Sequence, residues 1–559
     1  MAEMILPGVY IEVRPEGLIV PGRVTVGNLG VVGTASKGEI GKPTILGSYT
    51  EARERFGDYD LWIDGKRDEL TLVRALEMAY DHGATTVIAV RVAGKKADGT
   101  TAAVRAAYTL KSAGGDCVAL AAKTEGTWGN DLSVNVTDAE EHAFIEDEAH
   151  PGAAAITLKR NPVVKSGRNR ITHFVDATGV TRSLKILYDD DPAAPASGEV
   201  KANRTTGALT FGDAPAAADK VTASYVVDMS KAVKVTLRYR QAEEVYTVVD
   251  GKDLAADINR SPGGSAWVDA EPEANAGEPP SKSVAADAFG AFKGGDNGAS
   301  GANYKEGLER LLNEPAHIMV AAGQDDTFGD ELDAHCQVAS TDAIKRDRIA
   351  VVGSRLGASL DDLRGHKLAS DRVIFVAPGI NTTDAASGKE VTLPGAYAAA
   401  AVAGLLAGFS AHISPTNKTL RVGGLEQRYT SAALAQLVQR LVLALEERQG
   451  FRIVKGITTS TNTAWHQITT RRIVDYAKYG VRSAGLPYIG LLNNERVRGA
   501  LRATINSFLA EMVDDEMLIS YELNVTATRD EERKGIARVT MVLRPVFSID
   551  FIKVTMFLE

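Results

Sequence analysis

Two apolar, strand-like stretches lie at the extremities of this sequence and constrain it more than anything between them. Ile549–Leu558 (IDFIKVTMFL) reads as a β-strand, and so does Leu6–Val13 (LPGVYIEV). Chain ends are usually polar and frayed. An apolar strand without a neighbour exposes a row of backbone donors and acceptors and invites aggregation. It either docks in a sheet of its own chain or adds to a sheet of another. Successive side chains of a strand point to opposite faces. Phe551, Lys553, Thr555 and Phe557 therefore share one face, and Ile552, Val554, Met556 and Leu558 make the other, wholly apolar one. This suits an interior sheet position covered on one side. The expectation adopted is addition to another chain, with Val9, Tyr10, Ile11, Glu12 and Val13 at one end and Phe551–Leu558 at the other linking copies into a polymer. Each added backbone hydrogen bond contributes about 1 kcal/mol net, so strength has to come from many links acting together.

At 559 residues the chain calls for several domains. The net charge of −9 is spread along the sequence, unlike the concentrated Lys/Arg of a nucleic-acid binder. Cys117 and Cys336, far apart, exclude a disulfide framework or a Cys-rich metal site and fit a reducing compartment. The start, MAEMILPGVY, has neither the basic nor the long apolar region of a secretory signal. The longest apolar stretch, Leu393–Ile413, is Ala/Gly-rich and contains Pro394, Ser410 and His412, so it reads as a buried helix rather than a membrane span. No nucleic-acid partner and no membrane insertion are expected, and assembly in the cytoplasm is.

Local patterns divide the chain. Val24–Thr34 and Thr86–Val92 are continuous apolar strands, with Leu70–His82 at helical spacing between them and Gly83 as its cap, the signature of a parallel sheet covered on both faces. From residue 100 to 248 short alternating runs such as Asp131–Thr137 and Val233–Tyr239 read as antiparallel β, with a nested module over 140–227 in which Thr205–Phe211 and Lys220–Tyr225 resemble a hairpin. Ser261–Ser300 reads as a surface connection. After Tyr304 the α/β texture returns, with strands at Ala316–Ala322, Ile349–Gly353 and Val373–Ala377. Helices are expected at Tyr304–Leu312, Leu332–Arg346, Tyr397–Gly408, Ala432–Gln449, Thr470–Tyr479 and Asn494–Asp514. The resulting domains are a linking strand and arm (1–24), the first part of an α/β core (25–99), a β-rich insertion (100–248), the rest of the core (249–420) and a C-terminal α+β domain (421–559).

Signatures of catalysis are missing from the sequence. None of the Gly-Lys pairs has the glycine and hydroxyl spacing of a phosphate-binding loop, and there is no H-E-x-x-H or C-x-x-C. The cluster Glu140, Glu141, His142, Glu146, Asp147, Glu148 and His150 reads as a solvated loop rather than a metal site, and His335-Cys336 as a packed pair. Pro394–Gly404 (PGAYAAAAVAG) resembles the helix behind the nucleophile of subtilisin-type proteases. Aligned on Val402-Ala403-Gly404, the serine position falls on Ala396, which has no oxygen to attack a carbonyl. Asp81-His82-Gly83, superficially a histidine motif, lies at a helix end. The fold class is therefore α+β multidomain, with a non-catalytic subtilisin-like α/β core interrupted by an antiparallel β insertion and followed by an α+β domain with terminal exchange strands.

Several segments together resemble the contractile tail sheath proteins of contractile-tailed phages, R-type pyocins and related injection systems. They are Pro7–Glu12 (PGVYIE), Gly83–Val92 (GATTVIAVRV), Gly126–Val136 (GTWGNDLSVNV), Phe292–Gly298 (FKGGDNG), Pro394–Gly404 with Pro415–Asn417, and Arg471-Arg472-Ile473. Glu140–Val227 lies outside the resemblance, and His412-Ile413-Ser414 stands where a Trp-containing run is common. The resemblance implies a structural subunit, not an enzyme and without a cofactor, that forms hexameric rings stacked helically around an inner tail tube. It also implies contacts with baseplate and tail terminator proteins in a virion tail, and contraction that drives the tube through an envelope. It makes a C-terminal-domain helix the tube contact, with Arg496, Arg498 and Arg502 as candidates. The alternatives are a degenerate subtilisin-like serine hydrolase and a surface adhesion protein built on the β insertion.

Overall fold

Runs such as LGVVG, IAVVG and VIFVA offer no polar face to water, so they are stable as strands only where both sides are covered. The computed structural model, which describes residues 27–63 and 69–557, places them in one sheet. The linking strand expected at Val9–Val13 lies outside the described residues, as does Leu558. Two compact units emerge, one from the residues up to Thr100 together with those from Ala299 onward, the other from Thr101–Gly298.

The first unit holds a sheet of nine strands among the described residues. In chain order its main members are β1 (Leu29–Gly33), β2 (Thr44–Leu46), β3 (Val87–Arg91), β4 (Ile318–Ala321), β5 (Ile349–Gly353), β6 (Val373–Ala377), β7 (Val442–Glu447) and β8 (Phe451–Ile453). They lie in the order β2-β3-β1-β4-β5-β6-β7-β8, and Thr419–Leu420 closes the edge. β3 through β7 run parallel, with Leu29 beside both Val87 and Ile318, while β2 and β8 are antiparallel. Alternate residues feed opposite faces. Val31, Val351 and Val376 pack under helices α1 (Leu72–Asp81) and α3 (Gly395–Gly408). Val32, Val352 and Phe375 pack under α2 (Gly329–Ala339). Within α2 both His335 and Cys336 are buried, as the packed-pair reading expects.

Small residues set how closely α3 approaches. A Cβ at Gly404 would stand 2.2 Å from the Ala79 carbonyl oxygen of α1. Ala396, at the position matched to a nucleophile, is buried at the start of α3.

Two expectations need correction here. The helix expected over 432–449 stops at Gln439, and Val442–Glu447 is instead the core strand β7. Its VLAL run is buried on both faces between β6 and β8, and Leu441, at φ +65°, breaks the chain between helix and strand. The core sheet therefore continues past residue 420.

The second unit is all β apart from one helix of ordinary length, Gly251–Ile258. Val268–Pro272 pairs with Gly115–Ala122, and Gly290–Ala291 pairs with Leu132–Asp138. The stretch expected as a surface connection thus supplies strands, because Val268, Ala270 and Phe292 are needed in the same cluster as Trp128 and Val235. The unit ends at Gly298 rather than 248 for the same reason. Two of the motifs singled out in the sequence clasp each other here. Asn130 exchanges hydrogen bonds with the backbone of Gly295 (3.0 and 2.9 Å), and Asn297 accepts from the Thr127 N–H at 2.7 Å.

Thr205–Phe211 and Lys220–Tyr225 do not form a hairpin. Ala208–Phe211 pairs with Glu199–Ala202 and Ala155–Thr157, while Lys220–Val227 pairs with Ala143–Pro151 and Arg170–Val175. Asp219 redirects the chain between them, accepting from His173 and from the backbone of Asp176 and Ala216. The acidic cluster divides: Glu140, Glu141 and His142 are exposed in the turn before the strand Ala143–Pro151, as a solvated loop would be, whereas Glu146, Asp147, Glu148 and His150 lie on the strand, and Glu148 is buried, accepting from Tyr225 (2.8 Å), Arg160 (3.1 Å) and His150 (2.6 Å). Burial alone would raise its carboxyl, but these hydrogen bonds and that from the Lys159 N–H hold it below the usual range. Among the described residues no group of His, Cys, Asp and Glu is placed to hold a metal, and no helix is long and apolar enough to cross a membrane.

The close approach of α1 and α3 yields a test. Gly404→Val forces a side chain into the Ala79 carbonyl, and thermal unfolding should report a loss of about 1–3 kcal/mol.

Candidate functional site: the C-terminal domain and its unpaired segment

The sequence after residue 460 builds two long helices and a hairpin. Helix α4 is Ile468–Gly485 and α5 is Glu495–Asp514, the latter capped by Asn494, which accepts from the Val497 N–H at 2.9 Å. They cross where α4 has Gly480. A Cβ there would meet the Phe508 ring at 1.8 Å, so glycine is what allows Phe508 to lie against Tyr476, stacked at 5.7 Å.

β9 (Leu518–Thr526) and β10 (Arg538–Pro545) form the hairpin, with Leu523 beside Met541. One face, including Tyr521, Leu523, Val525, Val539 and Met541, packs on the cluster of α4 and α5. The other is polar and carries the Arg544–Glu522 pair at 3.0 Å. The sheet has two strands and two unpaired edges among the described residues. A two-stranded sheet is marginal without further strands or a packed helix.

The chain leaves this hairpin along a defined path. The Val546 N–H donates to the Met517 carbonyl at 3.1 Å. Asp550 then pairs with Lys455 at 3.6 Å and accepts from Thr416 at 3.5 Å, both beside the core sheet, and Lys455 sits 5.3 Å from the centre of the Phe551 ring. Beyond that anchor the stretch expected as a strand has no strand partner among the described residues. Phe551 is 85% exposed, Ile552 82%, Val554 72%, Met556 84% and Phe557 88%. Lone apolar side chains on a surface are ordinary, but an unbroken run of them is not.

Beneath the hairpin, buried charges fix α4 to the core. Asp475 accepts from Arg372 at 2.9 Å and from Arg471 at 2.7 Å, and Arg471 also pairs with Asp371 at 2.9 Å. Asp347, whose side chain is fully buried, faces Arg372 at 3.5 Å and binds Lys478 and Arg482. Arg472 donates to the Phe409 and Ser410 carbonyls at the end of α3 (2.8 and 3.4 Å), and burial pushes its guanidinium down to about 10. Arg348 donates to the Leu311, Leu312 and Glu314 carbonyls and to His335 Nε2 at 2.9 Å. Burial first, and Arg348 second, lower His335 to about 3. Burial, with Arg348 and Arg472 adding to it, lowers His317 to about 4.

Of the three arginines considered for a partner contact, Arg498 is engaged internally, with Glu532 at 3.0 Å and Asn493 at 2.9 Å. Arg496 and Arg502 are exposed on α5. Sequence reading missed Asp347, Asp475, Lys455 and Asp550. Asp475 carried a signal, since Arg471 and Asp475 stand one helical turn apart, whereas the partners of Asp347 on α4 are remote in sequence. Lys455 and Asp550 are far apart in sequence and carried none.

Residues 460–559 match the family model described as phage tail sheath C-terminal domain. Over nearly the whole chain the structure is similar to the sheath tail protein of Desulfitobacterium hafniense, at 15% identity and a TM-score of 0.57, covering 96% of this chain and 100% of that one. It is similar also to a sheath tail protein of Listeria innocua, at 12% identity and a TM-score of 0.57, covering 95% of each. A search of curated proteins returns no match. The resemblance read from scattered motifs is thus met in sequence over residues 460–559, and the multidomain α+β fold is that of sheath tail proteins.

Two outcomes follow from the buried charges. Asp475→Asn leaves Arg372 and Arg471 without their shared countercharge, and urea unfolding should show a loss of about 3–5 kcal/mol. Both histidines titrate lower in the folded chain than in the unfolded one, so the unfolded state takes up protons first as pH falls. Stability should drop from pH 6.5 towards 4, by about 1.4 kcal/mol per pH unit for each histidine. His317→Gln with His335→Gln should flatten that slope, read from unfolding curves across pH; an unchanged slope contradicts the assignment.

Proposed function

We propose that this chain is a structural subunit of a contractile tail sheath, whose copies are joined by exchange of terminal strands. The observation that carries the reading is the apolar segment Phe551–Phe557, exposed and unpaired beside a two-stranded sheet that has open edges. Its own chain is badly placed to complete that sheet. The segment starts at the Asp550–Lys455 anchor on the core rather than alongside β10. A neighbouring copy has no such restriction. Added to a hairpin edge, the segment would continue the apolar inner face with Ile552, Val554 and Met556 and leave Lys553 and Thr555 on the polar outer face. Val9–Val13 is assigned the equivalent role at the other end.

In this reading hexameric rings stack helically around an inner tail tube, between baseplate and terminator proteins, in a virion tail assembled in the host cytoplasm. The strand links hold while rings slide and rotate, and the tube is driven through a target envelope. The free energy is stored at subunit interfaces during assembly, so no nucleotide is consumed. Arg496 and Arg502, exposed on α5, remain the tube-facing candidates, and Arg498 supports their helix through Glu532. The core is proposed to be subtilisin-like without its nucleophile. The hydrolase alternative is disfavoured by Ala396, a buried methyl where an attacking oxygen is required.

Deleting Phe551–Glu559 tests the reading. Negative-stain microscopy should show hollow cylinders for the full chain and none for the truncated one, while the truncated protomer keeps its unfolding temperature. Truncation that unfolds the core would place the segment in its own subunit and refute the exchange.

A further inference from the structure

The sheet formed by Leu132–Asp138, Val233–Tyr239 and Ala242–Val248 turns one face to the core of the second unit, through Val134, Val136, Val235 and Leu237. Its other face carries a bowl of about 550 Å3, bounded on one side by Ala286, Asp287 and Phe289. The geometry points to a binding site for a neutral pyranose sugar in this bowl.

Asn135 lines the bowl and is 2% exposed. Its Nδ2 donates to the Ala286 and Ala288 carbonyls (3.0 and 3.1 Å), which fixes the amide, and its Oδ1 is left without a partner among the described residues. A buried acceptor left unpaired is costly, and native proteins rarely keep one without a reason. Thr236 faces Asn135 across the strand pair and also lines the bowl, at 8% exposure, so a hydroxyl accompanies the open acceptor. A ligand hydroxyl can donate to the first and bond the second in either sense.

The charges around this floor select the ligand. Lys234 pairs with Glu140 at 3.0 Å, Asp138 with Lys282, and Arg238 with Glu243 at 2.7 Å. Arg238 also lies 3.7 Å over the Phe289 ring, which holds its guanidinium in place. Its pair with Glu243 uses Nε, Nη2 and Oε1, so Nη1 and Oε2 remain as donor and acceptor. Neighbouring hydroxyls on a pyranose supply the matching acceptor and donor. Four carboxylates against two cations in the lining oppose an anion such as a phosphate or an acidic sugar. A cation would have to compete with Lys234 and Arg238 for their carboxylates. Apart from Phe289 and two alanines the lining is polar, which gives an apolar ligand little to bury. The bowl belongs to one chain whether or not copies polymerise, so it stands apart from the assembly reading.

Saturation-transfer NMR on the full chain tests it. The neutral probes are methyl α-D-glucopyranoside, methyl β-D-galactopyranoside and methyl α-D-mannopyranoside, and D-glucuronate is the charged one. At least one neutral probe should show transfer, and glucuronate should bind at least roughly tenfold more weakly than that probe. Thr236→Val removes the hydroxyl at nearly constant shape. It should weaken binding of the same probe about tenfold at an unchanged unfolding temperature, the effect of one lost hydrogen bond. No transfer to any neutral probe overturns the inference. So does glucuronate binding as tightly, or full affinity in the Thr236→Val chain. Should Thr236→Val fail to fold, Arg238→Lys decides. It keeps the charge but loses the planar fork, so affinity should again fall about tenfold, and unchanged affinity overturns the site.

Discussion

Asp475 lies buried between Arg372 and Arg471, and the relation of the C-terminal domain to the core rests on that carboxylate. Desolvating three charges is costly, and the cost is offset only because each guanidinium finds further partners: Asp371 for Arg471, and Asp347 with the Arg348 carbonyl for Arg372. Lys478 and Arg482 extend the same contact along α4 to Asp347. Apolar packing tolerates small slips, whereas a buried ion pair does not, since a displaced partner leaves a bare charge in low dielectric. A helix held this way moves with the sheet beneath it.

That rigidity gives meaning to the unpaired segment. A loose domain with an exposed apolar end would collapse onto itself and hide it. Here the hairpin is fixed through α4, and Asp550 is pinned by Lys455 and Thr416 on the core, so Phe551–Phe557 begins at a set distance from its own sheet edges. In the proposed assembly this separation makes exchange between copies the cheaper arrangement, and links of about 1 kcal/mol per hydrogen bond accumulate around a ring.

Much of the core was legible because its signals are local. LGVVG, IAVVG and VIFVA declare strands covered on both faces, and the Ala/Gly run at 395–408 declares a close-packed helix. What escaped was set by tertiary context. Val442–Glu447 follows a helix whose periodicity carries on through it, and only a vacant place beside β6 makes it a strand. Glu148 sits in an acidic run that looks solvated, and Arg160 and Tyr225, distant in sequence, bury it. The hairpin expected at Thr205–Tyr225 failed because Asp219 ties the second strand to His173 instead. In the candidate site the apolar alternation of the final strand was plain to read, while its Lys455–Asp550 anchor pairs residues with no pattern to connect them.

The central claim is that Phe551–Phe557 lacks a strand partner in one copy and gains it from another. Amide hydrogen exchange across this segment, in dilute protomers and in assembled cylinders, addresses it most directly. The account predicts exchange near the rate of an unstructured peptide in protomers and slowing of at least roughly a hundredfold in cylinders. Equal protection in both, or none in either, would contradict it.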